Sequence, residues 1–520
     1  MNLARHITCP RCHTPLKSAR GVRIGKKIAC PNCRIAFTVR PEDAESAELA
    51  EGINAGRLLI VLIAAGLYLV GGAGLAVLCF ANNAPRYPVA QNPPQSAANP
   101  DDDTPDLGTQ LPQPVAPKPS SITPQLQRKI DQAVADGVWY LKDHVHPDGS
   151  WDNTVENLPA LSVGFTALPG LTLLECGLPT NDPVVKKAAD LVRKECTDLG
   201  SNQRATYQLA LAILFLDRLG TDVGRLGDPQ DRALVEYLAL CLVAGQHSDG
   251  GWSYACPAVD RRMAPQLLKQ LADPKQSLAD WHKAAGAAFP AGGWDNSNTQ
   301  FAVLALWVAQ RHQVSIDKPI ELAEQHFRKT QLHAPEGGTI GDPTGNNVNL
   351  DGSWRYNDGA NSNPWPSMTC SGLLGLAIGH GVAKDPKEKN QKPLDDPAIK
   401  AGLAMLAREI DRPGERRPPD HYFLWSVARV AVLYDLDKID GKDWYAWGVK
   451  HLLPRQKNDG SWIDGAFYAN HPVLNTCFAL LFLKRANLAK DLTDKLQFLA
   501  RLTSSPPPSV LPAKKKDEAP

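Results

Sequence analysis

The sequence predicts an all-α domain in which six pairs of helices alternate between an outer and an inner layer. Two observations predict this class. A turn of the form Asp-Gly-x-Trp recurs about every hundred residues between positions 148 and 462, which is typical of a repeat architecture. Wholly apolar runs also alternate with amphipathic runs, as buried helices alternate with half-buried ones. A small β module and one membrane-spanning helix are expected ahead of this domain.

The composition limits the function classes. The 520 residues are 43% apolar, which is enough for a large core and excludes a disordered or collagen-like chain. The 56 basic side chains nearly balance the 55 acidic ones. A balanced charge gives the whole chain no attraction to nucleic acid or to acidic substrates.

Two CxxC pairs near the N-terminus predict a zinc site. Two residues between thiols let a tight turn direct both sulfurs at one Zn²⁺, and four thiolates complete a closed tetrahedral shell. Such a site is structural, because it leaves no position open for a substrate. In a module this small, the metal supplies much of the folding free energy. The predicted ligands are Cys9, Cys12, Cys30 and Cys33.

The N-terminal module resembles the zinc ribbons found at the N-termini of many bacterial membrane proteins. The resemblance covers residues 6–40 and includes Gly25-Lys26-Lys27 and Phe37-Thr38-Val39. It implies no reaction. The basic face of the module favours a protein or lipid contact over nucleic acid, since no base-reading element is visible.

Residues 58–81 predict a single membrane span. The stretch has no charged residue, and as a helix it exceeds the roughly 30 Å hydrocarbon layer. Lys and Arg are concentrated before it, which predicts that the N-terminus is cytoplasmic and the large domain extracytoplasmic. The expected domains are a zinc ribbon (1–41), a juxtamembrane segment (42–57), the span (58–81), a Pro-rich linker (82–121), the helical domain (122–503) and a tail (504–520).

The helical domain repeats one unit. Its apolar runs begin near a threonine or another polar residue, and amphipathic helices lie between them. Six such pairs bury their apolar faces only by closing into a ring or by stacking as a solenoid. The apolar runs start near Phe165, Ala205, Asn298, Met368, Tyr422 and Asn475.

The spacing of Gln246, Gly250 and Trp252 recurs in Gln456-x-x-x-Gly460-x-Trp462. Both segments fit the Gln-x-x-x-Gly-x-Trp repeat of squalene and oxidosqualene cyclases. The domain therefore resembles the terpenoid cyclase and protein prenyltransferase α/α toroid over roughly residues 122–503. The resemblance implies that Gln and Trp tie the ends of outer helices together. In two degenerate copies, the glutamine position is assigned to Val145 and Val348.

The chemistry of that family is not expected here. The segment that matches the cyclase acid motif runs from Asp295 to Gln300 and has Ser297 at the proton donor's position. A hydroxyl is too weak an acid to replace the carboxyl group. Asn475, Ser367 and Thr369 stand where the prenyltransferases have zinc ligands, and they form a poor Zn²⁺ site.

A cavity hypothesis remains. The starts of the inner helices should converge at one end of the ring, where their mixture of aromatic, amide and carboxyl groups suits a small amphiphilic or polyol ligand. The alternative is that these groups cap helices and satisfy one another. The predicted ligand-binding residues are Asn298, Gln300, Tyr422, Trp425, Tyr468 and Asn475, and the candidate acids and bases are Asp295, Asp464, Asp420 and His421.

The sequence leaves three functions open. We expect a membrane-anchored protein that binds a ligand or a protein partner without the catalysis of the resembled family. One alternative is an enzyme that acts on isoprenoid or glycan substrates through cavity carboxylates. The other is a scaffold, which would have a filled centre and a large exposed apolar patch.

Overall fold

The chain divides into two units, Met1–Ser120 and Ser121–Pro520. A computed structural model describes residues 3–8, 15–29, 36–39, 122–151, 162–197, 199, 205–221, 228–289, 292–332, 340–341, 347–348, 352–359, 364–383, 392–412, 418–464 and 471–502.

The described part of the first unit contains two pairs of antiparallel strands, in keeping with the small β module that the sequence predicted. Gly25, in the turn that connects the two pairs, adopts φ of 89°, and its amide donates to the Val39 carbonyl at 2.7 Å. The four cysteines of the predicted zinc site lie outside the described residues. The strands pair β1 (Leu3–Thr8) with β2 (Pro15–Arg23) and β3 (Lys27–Ala29) with β4 (Ala36–Thr38).

Within the described ranges, no helix is both long and apolar enough to cross a membrane. The predicted span at 58–81 lies outside those ranges, as do the linker at 82–121 and the tail at 504–520. All three stay predictions.

Twelve helices of the second unit form six outer and inner pairs. The outer helices are α1 (Pro124–Asp143), α3 (Pro183–Glu195), α5 (Pro229–Ala244), α9 (Asp317–Thr330), α11 (Pro397–Glu409) and α13 (Trp444–Leu452). The inner helices are α2 (Ser162–Glu175), α4 (Ala205–Thr221), α8 (Asn296–Ala309), α10 (Pro366–Val382), α12 (His421–Leu433) and α14 (Pro472–Leu483). Three further helices are α6 (Ala264–Ala272), α7 (Leu278–Ala284) and α15 (Lys490–Leu502).

The inner helices form a closed ring. Each packs against the next one, and α14 packs back on α2. Outer helix α1 contacts both α2 and α14, so the first outer helix covers the closure. Every residue of α8 is buried, because an inner helix meets the bore on one side and the outer layer on the other. The predicted ring of six outer and six inner helices is confirmed.

Local capping sets the starts of several outer helices. Asp182, Asp228 and Asp396 precede α3, α5 and α11, and each accepts a hydrogen bond from the amide two residues on, at 2.8 to 2.9 Å. A proline follows each aspartate, where its missing N–H costs nothing.

The Asp-Gly-x-Trp turns tie neighbouring outer helices together. Trp252 Nε1 donates to the Leu242 carbonyl at the end of α5 at 2.7 Å. Gln246 Nε2 donates to the Pro319 carbonyl in the first turn of α9 at 2.8 Å. Gly250 adopts φ of 93° and leaves no room for a Cβ, which would lie 2.2 Å from the Leu322 carbonyl oxygen. The structural role implied by the resemblance is therefore present in the described residues.

The sequence assignment of the third copy was wrong. Val348 does not occupy the glutamine position, because it lies in β6 (Asn347–Val348), which pairs with β5 (Ile340–Gly341). Gln331 makes the expected bonds, donating to the Ala398 carbonyl at 2.8 Å and to the Gly352 carbonyl at 3.2 Å. An insertion that contains this short hairpin separates the glutamine from its glycine. The prediction of an all-α domain is corrected at this point, because the short hairpin lies between two of its helices.

Helix α15 packs across the end of the ring where the inner helices finish. Leu492 on α15 is buried, and a Cβ added to Gly381 at the end of α10 would lie 2.7 Å from it. Arg311 pairs with Asp217 and Asp491, each at 2.5 Å, and so joins α15 to α4. The opposite end of the bore, where the inner helices begin, is called the mouth below.

Candidate functional site

Polar side chains from neighbouring inner helices meet at the mouth. The Tyr207 hydroxyl on α4 donates to Ser297 Oγ on α8 at 2.8 Å. Ser297 Oγ in turn lies 2.9 Å from the Tyr422 hydroxyl on α12. All three residues belong to the first turn of their helix, so the inner helices start at one end of the ring, as predicted.

The hydroxyl chain continues inward to a buried cation. Gln300 Nε2 donates to the Tyr422 hydroxyl, and Gln300 Oε1 accepts from Arg429 Nη2 at 2.8 Å. Arg429 also donates to Ser426 Oγ at 3.2 Å. A continuous polar path therefore runs from the partly exposed tyrosines to a guanidinium that is 6% exposed.

Aromatic rings fill the bore beside this path. Trp425 stacks on Phe478 at 5.2 Å between ring centroids, and Phe301 lies 5.9 Å from Trp425. Tyr207 packs edge-on against Phe301 at 5.2 Å, and Tyr422 against Phe478 at 5.5 Å. These rings form an aromatic floor beneath the mouth.

Asp295 is a buried carboxyl group at this mouth. It caps α8, where its two oxygens accept from the Asn298 amide and from Asn298 Nδ2, both at 2.7 Å. Burial raises the pKa of Asp295 to about 6, although hydrogen bonds from Asn298 and Tyr356 oppose the shift. The Tyr356 hydroxyl lies 2.5 Å from the Tyr254 hydroxyl. Asp295 can therefore exchange a proton near neutral pH.

A second cluster surrounds His421. Asp464 Oδ2 accepts from the His421 amide at 2.7 Å and lies 3.0 Å from His421 Nδ1, which is also 2.8 Å from Asn475 Oδ1. Burial lowers the pKa of His421 to about 4, although Asp464 opposes the shift. The ring is therefore neutral at pH 7, with Nδ1 oriented by its two oxygen partners. In the described part of the chain, the buried Nε2 has no hydrogen-bond partner.

Asp420, another of the candidate acids, lies at the start of α12. It caps α12 by accepting a hydrogen bond from the Phe423 amide at 2.7 Å. Burial raises the pKa of Asp420, and the nearby Asp464 adds to the shift. Asp420 thus serves the start of the helix that carries His421 and Tyr422.

The structure places the predicted site residues in two groups. Asp295, Asn298, Gln300, Tyr422 and Trp425 lie around the bore, with Asn298 engaged in capping. Asp464, His421 and Asn475 form the second cluster, and Tyr468 lies outside the described residues. In the described ranges, no group of three or more His, Cys, Asp or Glu side chains could hold a metal ion.

Sequence reasoning missed four contributors to the mouth. Tyr254 and Tyr356 each stand two residues after a tryptophan of the repeated turn, so the repeat itself carried a usable signal. Arg429 is the single charge within the apolar run of α12, which is a second usable signal. Tyr207 had no comparable signal, because only the ring brings α4 beside α8.

No protein-family model matches the chain, and no curated protein matches it. Several solved structures are similar to the chain. An alpha-1,6-mannanase of Salegentibacter is 9% identical with a TM-score of 0.42, covering 68% of this chain and 98% of that one. A type II terpene cyclase from Scytonema, bound to geranylgeranyl dihydroxybenzoate, is 14% identical with a TM-score of 0.39, covering 72% and 99%. An unsaturated glucuronyl hydrolase from Bacillus is 14% identical with a TM-score of 0.42, covering 69% and 96%.

These likenesses carry no inference about activity at such identities and TM-scores. The class of protein follows from the contacts within the chain. A closed ring of six inner helices inside six outer helices defines an α/α toroid.

Proposed function

We propose that this chain is a membrane-anchored protein whose extracytoplasmic toroid binds a polyhydroxylated ligand, such as a glycan, at its mouth. One observation carries the proposal: Tyr207, Tyr254, Tyr356 and Tyr422 are partly exposed and place their hydroxyls around buried Asp295. A tyrosine ring can stack on the apolar face of a sugar, and its hydroxyl can form hydrogen bonds with the hydroxyl groups of the sugar.

The rim of the mouth supports the same ligand class. Trp365 directly precedes inner helix α10 and is 47% exposed, which is unusual for an indole. The filled aromatic floor formed by Phe301, Trp425 and Phe478 gives a long isoprenoid tail little depth to enter. Ser297 is bonded between two tyrosines and is not an acid that could protonate an alkene.

The anchoring part of the proposal rests on the sequence. Residues 58–81 would span the membrane, and the Pro-rich linker at 82–121 would hold the toroid away from it. The four N-terminal cysteines would hold a structural Zn²⁺ in the cytoplasm.

Topology can be tested by labelling. An impermeant maleimide should label Ser96→Cys on intact cells, and it should label Ser46→Cys only after the cells are lysed. The reverse pattern would contradict the proposed orientation.

Ligand binding can be tested on a glycan array with the full-length chain in detergent. We expect retention on a subset of glycans, and Trp365→Ala should weaken it by about tenfold through lost stacking. Phe498→Ala is the matched control, since Phe498 is 58% exposed and lies on α15 at the other end of the ring. Absence of retention, or equal losses in the two variants, would defeat the proposal.

A second candidate function, glycan cleavage, is favoured by the pairing of His421 with Asp464. A neutral imidazole whose Nδ1 is held by a carboxylate can use Nε2 as a general base. New reducing ends released from a bound glycan by the wild type, and lost in His421→Gln, would support it. Unchanged release by this variant would exclude the role.

A further inference from the structure

Arg429 is a buried cation with two donor atoms that the described residues leave unbonded. Its Nη2 is occupied by Gln300 and Ser426. Its Nε and Nη1 are buried and have no hydrogen-bond partner among the described residues. No ion pair formed within those residues includes Arg429.

Other arginines of the toroid differ in this respect. Arg193, Arg218, Arg311 and Arg328 each lie within 2.8 Å of a carboxylate oxygen. A guanidinium cannot lose its charge in a protein, so burial without a counter-ion is costly. A buried arginine kept without a carboxylate is therefore a candidate receptor for an anion.

The position of Arg429 connects it to the mouth. Its guanidinium lies 3.9 Å from the Trp425 ring centroid and bonds Gln300, which also contacts Tyr422. Side chains on a helix lean toward its N-terminus, and the N-terminus of α12 is at the mouth. The partly exposed Tyr422, which bonds both Ser297 and Gln300, links the guanidinium to the mouth.

We propose that Arg429 binds a carboxylate of the ligand, so that the glycan is acidic and contains uronic acid. This inference rests on the proposed function of the mouth and narrows its ligand class. A planar guanidinium forms charge-assisted hydrogen bonds to a carboxylate, and these are stronger in a site shielded from water.

The test uses an array of uronic-acid oligosaccharides printed beside their carboxyl-reduced counterparts, with the full-length chain. The wild type should bind the acidic members at least about tenfold more tightly than the reduced ones. Arg429→Met should remove this difference, so that the variant binds acidic and reduced members equally. Arg429→Lys keeps the charge and should retain part of the preference. Arg232→Met on α5 is the control, because Arg232 pairs with Glu236 on the outer layer.

The outcomes separate the two proposals. Equal binding of acidic and reduced members by the wild type would overturn the role of Arg429 and leave the proposed function standing. An equal loss on both sets in Arg429→Met would also overturn it, since that pattern reports a structural role. Retention of neither set would contradict both proposals.

Discussion

Gln331 Nε2 donates to the Gly352 carbonyl at 3.2 Å, although the two residues are 21 positions apart. In the second copy of the repeat, Gln246 reaches Gly250 across only four positions at 3.1 Å. The insertion in the third copy therefore leaves the link between outer helices intact. The contact matters more than the spacing, because Gln331 satisfies the Ala398 carbonyl of the next outer helix.

Replacing Gln331 should destabilise the toroid. Gln331→Ala leaves the buried Gly352 carbonyl and the partly buried Ala398 carbonyl without this donor, so we expect a loss of about 1 to 3 kcal/mol in the free energy of unfolding. Urea titration followed by circular dichroism would measure it. Gln132→Ala is the control, since Gln132 is exposed and bonds only Asp136 on its own helix at 2.8 Å. Equal stability of the two variants would show that the link is dispensable.

The glycine of the same turn offers a second prediction. Gly352 has φ of 94°, and a Cβ there would lie 2.4 Å from the Ala401 backbone. Gly441 has φ of 75° with no atom within 4 Å of a built Cβ. Gly441→Ala should lower the free energy of unfolding by about 1 kcal/mol, because alanine disfavours the positive φ. Gly352→Ala should lower it further, because α11 must also move to make room for the Cβ. Similar melting temperatures for the two variants would contradict the close approach.

Asp295 should make stability depend on pH. Burial raises its pKa to about 6, because the buried site disfavours the ionised carboxylate. The contribution of the protonated carboxyl group to the free energy of unfolding is therefore complete below about pH 4 and is lost as the pH rises through 6. Asp295→Asn lacks this titration. As the pH rises from 4 to 7, the free energy of unfolding of the variant should therefore increase by up to about 3 kcal/mol relative to that of the wild type.

The amide can still cap α8, and Asn298 Oδ1, which has no partner among the described residues, can accept from it after a flip. Asp228→Asn, at the exposed cap of α5, serves as the control. A constant difference between Asp295→Asn and the wild type across this pH range would refute the shift.

Zinc content tests the N-terminal module. The full-length chain purified in detergent should carry one Zn²⁺, as measured by elemental analysis, and Cys30→Ser should lose it because three thiolates bind far more weakly than four. Cys79→Ser removes a cysteine outside the predicted ligand set and should keep the metal. Zinc well below one equivalent in the wild type would rule out the ribbon.

The sequence predicted the layers of the toroid well. Helix period, aspartate caps and Asp-Gly turns act over about four residues, so they are visible in a single chain segment. That is why all six inner helices and their common start could be predicted from runs such as those of α8 and α12.

The lining of the mouth depended on distances that a sequence does not encode locally. Tyr207 meets Ser297 across 90 positions, and Arg429 meets Gln300 across 129. The sequence alone determined which segments become outer or inner helices, because periodicity and capping act between neighbours. Only the closed ring decided which side chains share the bore and which described residues surround Arg429, none of them a carboxylate paired with it, since that depends on packing between helices far apart in the chain.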